Sequence, residues 1–386
     1  MIAPSPSHTL ARLGAWRSAL RLLLTLIAMV AVAARPVMAQ SMLRDAETEA
    51  LFQDMVDPLL VAAGLRPGQV RVHLLGDRSI NAFVAGSQDI YVFSGLIETA
   101  DSANEVQGVL AHELGHIMGG HAIRASDGAK TATGISLLSL LLGAAAIAAG
   151  GGDAGMGIMM AGQQAALGKY LAFSRVQEAT ADAAGAQYLS KAGISGKGSL
   201  DFFKKLQNLE FRYAVKQDDD QAYSRTHPLS GDRIQALREV YVVDPAWDKP
   251  SDPQLEARFQ RVKAKLLGYM EEPERTLRKY PESDKSVPAR YARAYAWHKS
   301  AYPQKALDEV DALIATNPED PYFLELEGQV LLESGRPKEA IPPLRKAVAN
   351  SKSQPLIAST LGHALIEKWG AARLYLDPRK LDARTS

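Results

Sequence analysis

Apolar residues recur at helical spacing between Asn104 and Gly120, where Val106, Val109, Leu110, Leu114 and Ile117 form one stripe. The pattern predicts a helix over 104–120, capped by Asp101 or Ser102 and ended by Gly119-Gly120. Upstream the period changes. Residues 70–75 (VRVHLL), 80–84 (INAFV) and 89–93 (DIYVF) are short runs rich in β-branched and aromatic residues and predict a small sheet. Gly86-Ser87-Gln88-Asp89 supplies a turn between the last two.

Downstream, residues 133–161 change character again. Isoleucine, leucine and alanine fill 135–149, then glycine dominates. The run is marginal for a membrane span, and Gly150-Gly151-Gly152 breaks it. Three readings stay open: a buried helix pair packed through small residues, a hairpin touching a membrane surface, or a pair of membrane crossings. From about residue 255 the pattern is helical and repeats. Ala306 and Ala340, Gly328 and Gly362, and Leu331 and Leu365 are each 34 positions apart, which is the tetratricopeptide period. The repeat is clearest at 321–350 and diverges after 370. Such arrays bind other proteins on a concave face or serve as a stabilising helical cap.

The first residues read as an export signal. Arg12, Arg17 and Arg21 precede the apolar run Leu22–Ala34, and Val37-Met38-Ala39 offers small residues before a cut, so residues 1–39 are expected to leave as a signal peptide. An uncleaved anchor is the alternative. The chain has no cysteine, which excludes disulfides and lipoprotein acylation and fits a periplasmic location. A net charge of +1 gives no basis for nucleic-acid binding.

The chemistry is concentrated in His112-Glu113-Leu114-Gly115-His116. Residues four apart share a helix face, so two imidazoles there can hold one zinc ion, with Glu113 beside them as general base for water. A zinc peptidase needs a third protein ligand. His121 sits about 140° around the helix from His116, on the wrong face for the same ion, and reads as a histidine closing the last turn. The alternative is a carboxylate on a second helix. In 174–182, SRVQEATAD, Glu178 and Asp182 are four apart. Glu178 can bind the metal while Asp182 fixes the tautomer of a ligand imidazole. Read alone, the segment is an ordinary charged helix face, a reading that its position after an HExxH helix reverses, and Arg175 is an ordinary salt-bridge partner.

HELGH followed by SRxxExxAD resembles the gluzincin metallopeptidases related to HtpX and the CAAX prenyl proteases, over about residues 45–240. The resemblance implies that His112, His116 and Glu178 bind one Zn2+, that Glu113 is the base, and that Asp182 supports a ligand. It draws Asn81-Ala82-Phe83 in as a substrate-binding segment and Thr226-His227-Pro228 as a second catalytic one. A sheet edge there can hold an extended peptide by strand addition, or the segment only packs. His227, in a polar stretch expected to be a mobile loop, either stabilises an oxyanion or occupies the fourth zinc position as a latch. A signal peptide at one end and helical repeats at the other resemble family members acting in the envelope. That implies misassembled outer-membrane proteins, or the machinery that inserts them, as clients.

The expected fold is an α+β zincin-like metallopeptidase domain, mostly helical with a small sheet, followed by an all-α tetratricopeptide-like domain. The expected division is signal peptide 1–39, peptidase 40–243, linker 244–254 and repeats 255–386. The expected function is an exported zinc endopeptidase. The rivals are a periplasmic chaperone or scaffold with a structural or latched zinc, and a membrane-embedded protease, which the short apolar content disfavours.

Overall fold

Asp45 accepts a hydrogen bond from the Thr48 amide at 2.9 Å and caps α1 (Ala46–Ala62). Leu51, Phe52, Met55, Val56, Leu59 and Leu60 recur along one side of this helix and are all buried. The computed structural model describes residues 41–86, 88–213, 227 and 231–374, with side chains left out over 210–213 and 369–374. The expected signal peptide, Thr226, Pro228 and the chain beyond 374 lie outside the described residues.

Four short strands form one mixed sheet: β1 (Met42–Leu43), β2 (Arg71–Leu75), β3 (Ala82–Ala85) and β4 (Asp89–Phe93). Their order is β1-β2-β4-β3. β2 and β4 run parallel with Val72 opposite Ile90, and β3 lies antiparallel to β4 with Phe83 opposite Tyr91. β3 is therefore an edge. The expected strands are present within a residue or two of their predicted limits.

A short α2 (Ser94–Thr99) leads into α3 (Ala103–Met118), where Ser102 rather than Asp101 is the cap, accepting from the Glu105 amide at 3.2 Å. Then come α4 (His121–Ala148) and the long α5 (Gly152–Ala192), followed by α6 (Lys197–Tyr213) and α7 (Gly231–Val242). The segment 133–161 forms the far part of an α4/α5 hairpin. Its seam is made of small residues: a Cβ at Gly143 would lie 2.6 Å from the Gly155 carbonyl oxygen. The helices do pair through small residues, but the pair is not buried. Leu137, Leu138, Leu141 and Met160 are 56%, 58%, 70% and 65% exposed.

The remaining chain is all-helical: α8 (Pro253–Met270), α9 (Pro273–Lys279), α10 (Val287–Lys299), α11 (Pro303–Thr316), α12 (Pro321–Glu333), α13 (Pro337–Asn350) and α14 (Pro355–Leu374). Proline opens most of them, where its missing N–H costs nothing. Ala306 and Ala340, one period apart, are both fully buried, in a core with Tyr291, Val310, Phe323 and Leu344. The boundary expected at 254/255 falls just inside α8. That helix belongs to the first core as well, through Phe259, Val262 and Leu266. Within 244–254, the Trp247 carbonyl accepts from Ser195 Oγ at 2.7 Å and Lys197 pairs with Asp248, so the expected linker is tied down. Glu47 of α1 is buried between Arg261 and Lys265 of α8 and accepts from the Tyr291 hydroxyl at 2.7 Å.

Candidate metal centre

Two helices carry the expected ligands, and glycine lets them touch. A Cβ at Gly115, inside HELGH, would lie 2.5 Å from the Ala181 carbonyl oxygen of α5, and one at Gly185 would lie 3.0 Å from the Ala111 carbonyl oxygen of α3. The backbones are thus in contact at the level of the site. Residues one and two turns along them face each other: His112 and His116 on α3, Glu178 and Asp182 on α5.

His112, His116, Glu178 and His227 each offer one ligand atom, all within 4.8 Å of one another. His112 Nε2 is 3.1 Å from His116 Nε2 and 3.2 Å from His227 Nδ1. Glu178 oxygens lie 3.4 Å from His112 Nε2, 3.4 Å from His116 Nε2 and 3.2 Å from His227 Nδ1. A tetrahedral zinc ion with ligands at about 2.0–2.1 Å has ligand–ligand edges of about 3.3 Å. The donor set, three nitrogens and one carboxylate, and its spacing therefore fit zinc.

Each α3 imidazole that points a nitrogen into this cluster is held from behind. Asp182 Oδ1 lies 2.9 Å from His112 Nδ1. His121 Nδ1 lies 2.9 Å from His116 Nδ1, and its own Nε2 is 3.2 Å from the Thr180 hydroxyl. With Nε2 of both α3 histidines turned inward, Nδ1 faces outward: that of His116 hydrogen-bonds His121, and that of His112 makes a close polar contact with Asp182. Arg233 of α7 in turn donates to both Asp182 oxygens at 2.7 and 2.8 Å and lies 3.1 Å from Glu178.

Glu113 is fully buried, and neither carboxylate oxygen has a hydrogen-bond partner among the described residues. His227 Nε2 is near, at 3.5 Å. A buried carboxylate of this kind calls for a cation or a polar guest. Burial raises its pKa, with His227 and His112 pulling the other way. Burial also opposes charge on His112, but Asp182 and Glu178 outweigh it and push that imidazole up to about 10. His116 has no such carboxylate behind it, and burial, with His112 and His227 adding to it, takes it down to about 2.

β3 borders the cleft through Phe83 and Val84, opposite Tyr170, Phe173 and Gln177 of α5. Phe83 stacks on Tyr91 at 5.2 Å. Asn81 and Ala82 are buried and do not line the cleft, so of the expected Asn81-Ala82-Phe83 segment only Phe83 borders it. Arg175 is exposed, and the guanidinium at the centre belongs to Arg233. Sequence reasoning passed over three residues. Gly115 stood at a free position of the motif. His121, expected to close the last turn of the motif helix, instead opens α4 and lies 2.9 Å from His116 Nδ1. Arg233 follows His227 by six positions with nothing in a single sequence to mark it.

A buried His–His–Glu constellation across two helices, with a glutamate between the histidines, defines a zinc metallopeptidase of the zincin type. The chain belongs to peptidase family M48, whose family model matches residues 17–241. It is 26% identical over 308 residues to the beta-barrel assembly-enhancing protease of Yersinia pestis, an alignment covering 76% of this chain and 60% of that protein. With the protein of the same name from Escherichia coli strain K12, identity is 23% over 301 residues, covering 76% and 60%. With metalloprotease LoiP of the same strain it is 33% over 182 residues, covering 46% and 65%. The chain spans about three-fifths of the length of the beta-barrel assembly-enhancing proteases it matches.

Proposed function

We propose that this protein is an exported zinc endopeptidase that cleaves misfolded or misassembled envelope proteins, held closed by His227. The observation carrying this reading is the cluster of His112, His116, Glu178 and His227, whose ligand atoms all lie within 4.8 Å of one another, beside the buried Glu113, whose carboxylate accepts no hydrogen bond among the described residues. A zinc ion bound there supplies a Lewis acid and makes water acidic near neutral pH. His112, His116 and Glu178 hold it, with Asp182 and His121 fixing the two α3 imidazoles. Glu113 takes the proton of the attacking water and returns it to the leaving amine, a role that its burial-raised proton affinity suits. An extended polypeptide lies along the β3 edge, recognised by backbone, with Phe83 as one wall of the cleft.

The placement of His227 supports the latch over the oxyanion role. Its Nδ1 stands among the ligand atoms, at the corner a substrate or water needs, while Nε2 faces Glu113. Catalysis then requires His227 to swing away. The same observation is what favours the rival, a chaperone or scaffold whose zinc is permanently closed.

Peptidase region 40–243 and helical region 255–386 then divide the work. The 34-residue spacing and the buried Ala306 and Ala340 support tetratricopeptide-like packing, with the helices receiving clients. The names of the relatives, beta-barrel assembly-enhancing protease, support outer-membrane β-barrel proteins or their assembly machinery as clients, and the signal-like N-terminal residues support the periplasm as the place. The test is casein cleavage with zinc content measured alongside. Glu113→Gln is expected to keep its zinc and lose about 10²–10⁴-fold in rate; unchanged cleavage removes the proposed base. His227→Ala is expected to gain activity; loss of activity turns His227 into an oxyanion stabiliser. No cleavage by the wild type or by His227→Ala favours the scaffold.

A further inference from the structure

The α4/α5 hairpin is the feature that the proposed chemistry does not use. Helix α4 is long and apolar enough to cross a membrane, and only 11% of its most apolar stretch is buried inside the protein. It is therefore neither a core helix nor part of the N-terminal signal. Leu137, Leu138, Leu140, Leu141 and Leu142 are all exposed and spread over an arc of about 200°. On the other helix Met156, Ile158, Met160 and Leu167 are exposed too. A protein partner or a second copy covers one face of such a hairpin. An apolar surface that runs around both helices is matched by a solvent that surrounds them.

Charge marks the depth. Between Lys130 and Lys169 the sequence holds one ionisable residue, Asp153, at the tip. Lys130 and Lys169 are exposed at the base, beside Tyr170, which is 46% exposed. The packing of Gly128 against Phe173 puts residues 130 and 170 at one level of the hairpin. Lysine and tyrosine at one level, apolar side chains beyond it, and a single carboxylate at the far end form the layering a bilayer selects. From Thr131 to Ala149 the uncharged helix is about 28 Å long, close to the hydrocarbon thickness of about 30 Å. Inside, Ser136 donates to Gln163 across the seam at 3.3 Å. Asp153 at the far headgroup level, the exposed amides of Gln163 and Gln164 and the hydroxyls of Thr131 and Thr133 near the base are the exposed polar groups that lipid must accommodate.

We propose that the hairpin inserts tip-first into a lipid bilayer down to the Lys130–Lys169–Tyr170 level. Glu178 lies nine residues beyond Lys169 on the same helix, so the metal centre stands about 13 Å above the lipid surface. Tyr170 and Phe173, at the foot of the hairpin, also line the cleft. Resting on the endopeptidase reading, this selects as substrates polypeptide segments emerging from the membrane face.

The test separates the two claims by using Glu113→Gln protein, which needs no proteolysis. It is floated with vesicles of phosphatidylethanolamine and phosphatidylglycerol. The protein is expected to rise with the vesicles, and Leu138→Glu/Leu141→Glu to lower the bound fraction at least about tenfold. A Leu141→Trp variant is expected to shift its emission to the blue and to be quenched by brominated acyl chains. In an otherwise wild-type chain the double glutamate variant is expected to cleave soluble casein as before. Protein left in the aqueous layer, a Leu141→Trp variant that binds without being quenched, or flotation unaffected by the two glutamates overturns the proposal. So does a lipid-free dimer that the glutamates dissociate, which would assign the surface to a second copy.

Discussion

Helices α3 and α4 follow one another in the chain and have opposite fates. Every residue of α3 from Ala103 to His116 is buried, including Asn104, Glu105, Gln107, His112, Glu113 and His116. Of the 28 residues of α4, only His121, Gly128, Ser139 and Gly143 are buried. The helix that carries the chemistry is inside, polar groups included, and the one rich in leucine is outside. What decides is the number of elements that surround each. The polar groups of α3 are answered from elsewhere in the fold. Asn104 bridges the Ser195 carbonyl and the Gly198 amide at 2.9 Å each, and Lys205 reaches Glu105 at 2.8 Å. Beyond its base, α4 has little but α5 to pack on. Two helices alone hide a seam, and small residues make that seam narrow. Polar residues are kept inside α3 where other elements answer them, and apolar residues stay outside on α4 where no other element covers them.

The contrast is broken most directly by putting the same charge on each helix. Leu114→Asp is expected to cost about 4 kcal/mol or more, enough to unfold the catalytic body. Leu141→Asp is expected to leave the thermal midpoint in detergent-free buffer unchanged or slightly higher. A similar loss in both would mean the hairpin is packed in solution. A second contrast removes a cation. Arg233→Met strands Asp182 as a buried carboxylate and loosens His112, so zinc retention against a chelator should fall about 10–100-fold. Lys169→Met, at an exposed site, should change retention little; equal effects would deny Arg233 its role in holding the ligand set.

Glycine gives the smallest and sharpest comparison. Gly115→Ala pushes a methyl into the Ala181 carbonyl and should destabilise by about 1–3 kcal/mol. Gly157→Ala has open space around it, and should stabilise its helix by about 0.5–1 kcal/mol. Chemical denaturation of both variants reads the two signs. A stabilising Gly115→Ala would mean that α3 and α5 do not touch as described.

Much of this fold is legible in the residues. The stripe Val106–Val109–Leu110–Leu114 predicts α3 because a 3.6-residue period has one buried side. The β-branched runs predict three of the four strands. Pairing is not legible: that β2 lies beside β4 and leaves β3 at the edge follows from contacts between distant segments. The repeat period is visible in Ala306 and Ala340. That α8 also serves the first core is not, because Phe259 and Val262 suit either side. Removing residues 255–386 would strip that core of both, so a truncation that spares it must begin after α8.

At the centre, local order suffices to put His112 and His116 on one helix face with Glu113 between them, but not to bring His121 against His116. It also offers Glu178 and Asp182 as a pair one turn apart. Only the tertiary structure brings α3 and α5 into backbone contact at Gly115, places His227 at the fourth corner and closes Arg233 over Asp182. Spacing along a helix is a property of the peptide backbone and can be read from sequence. Distance between helices depends on which side chains are small enough, across the whole core, to let two backbones meet.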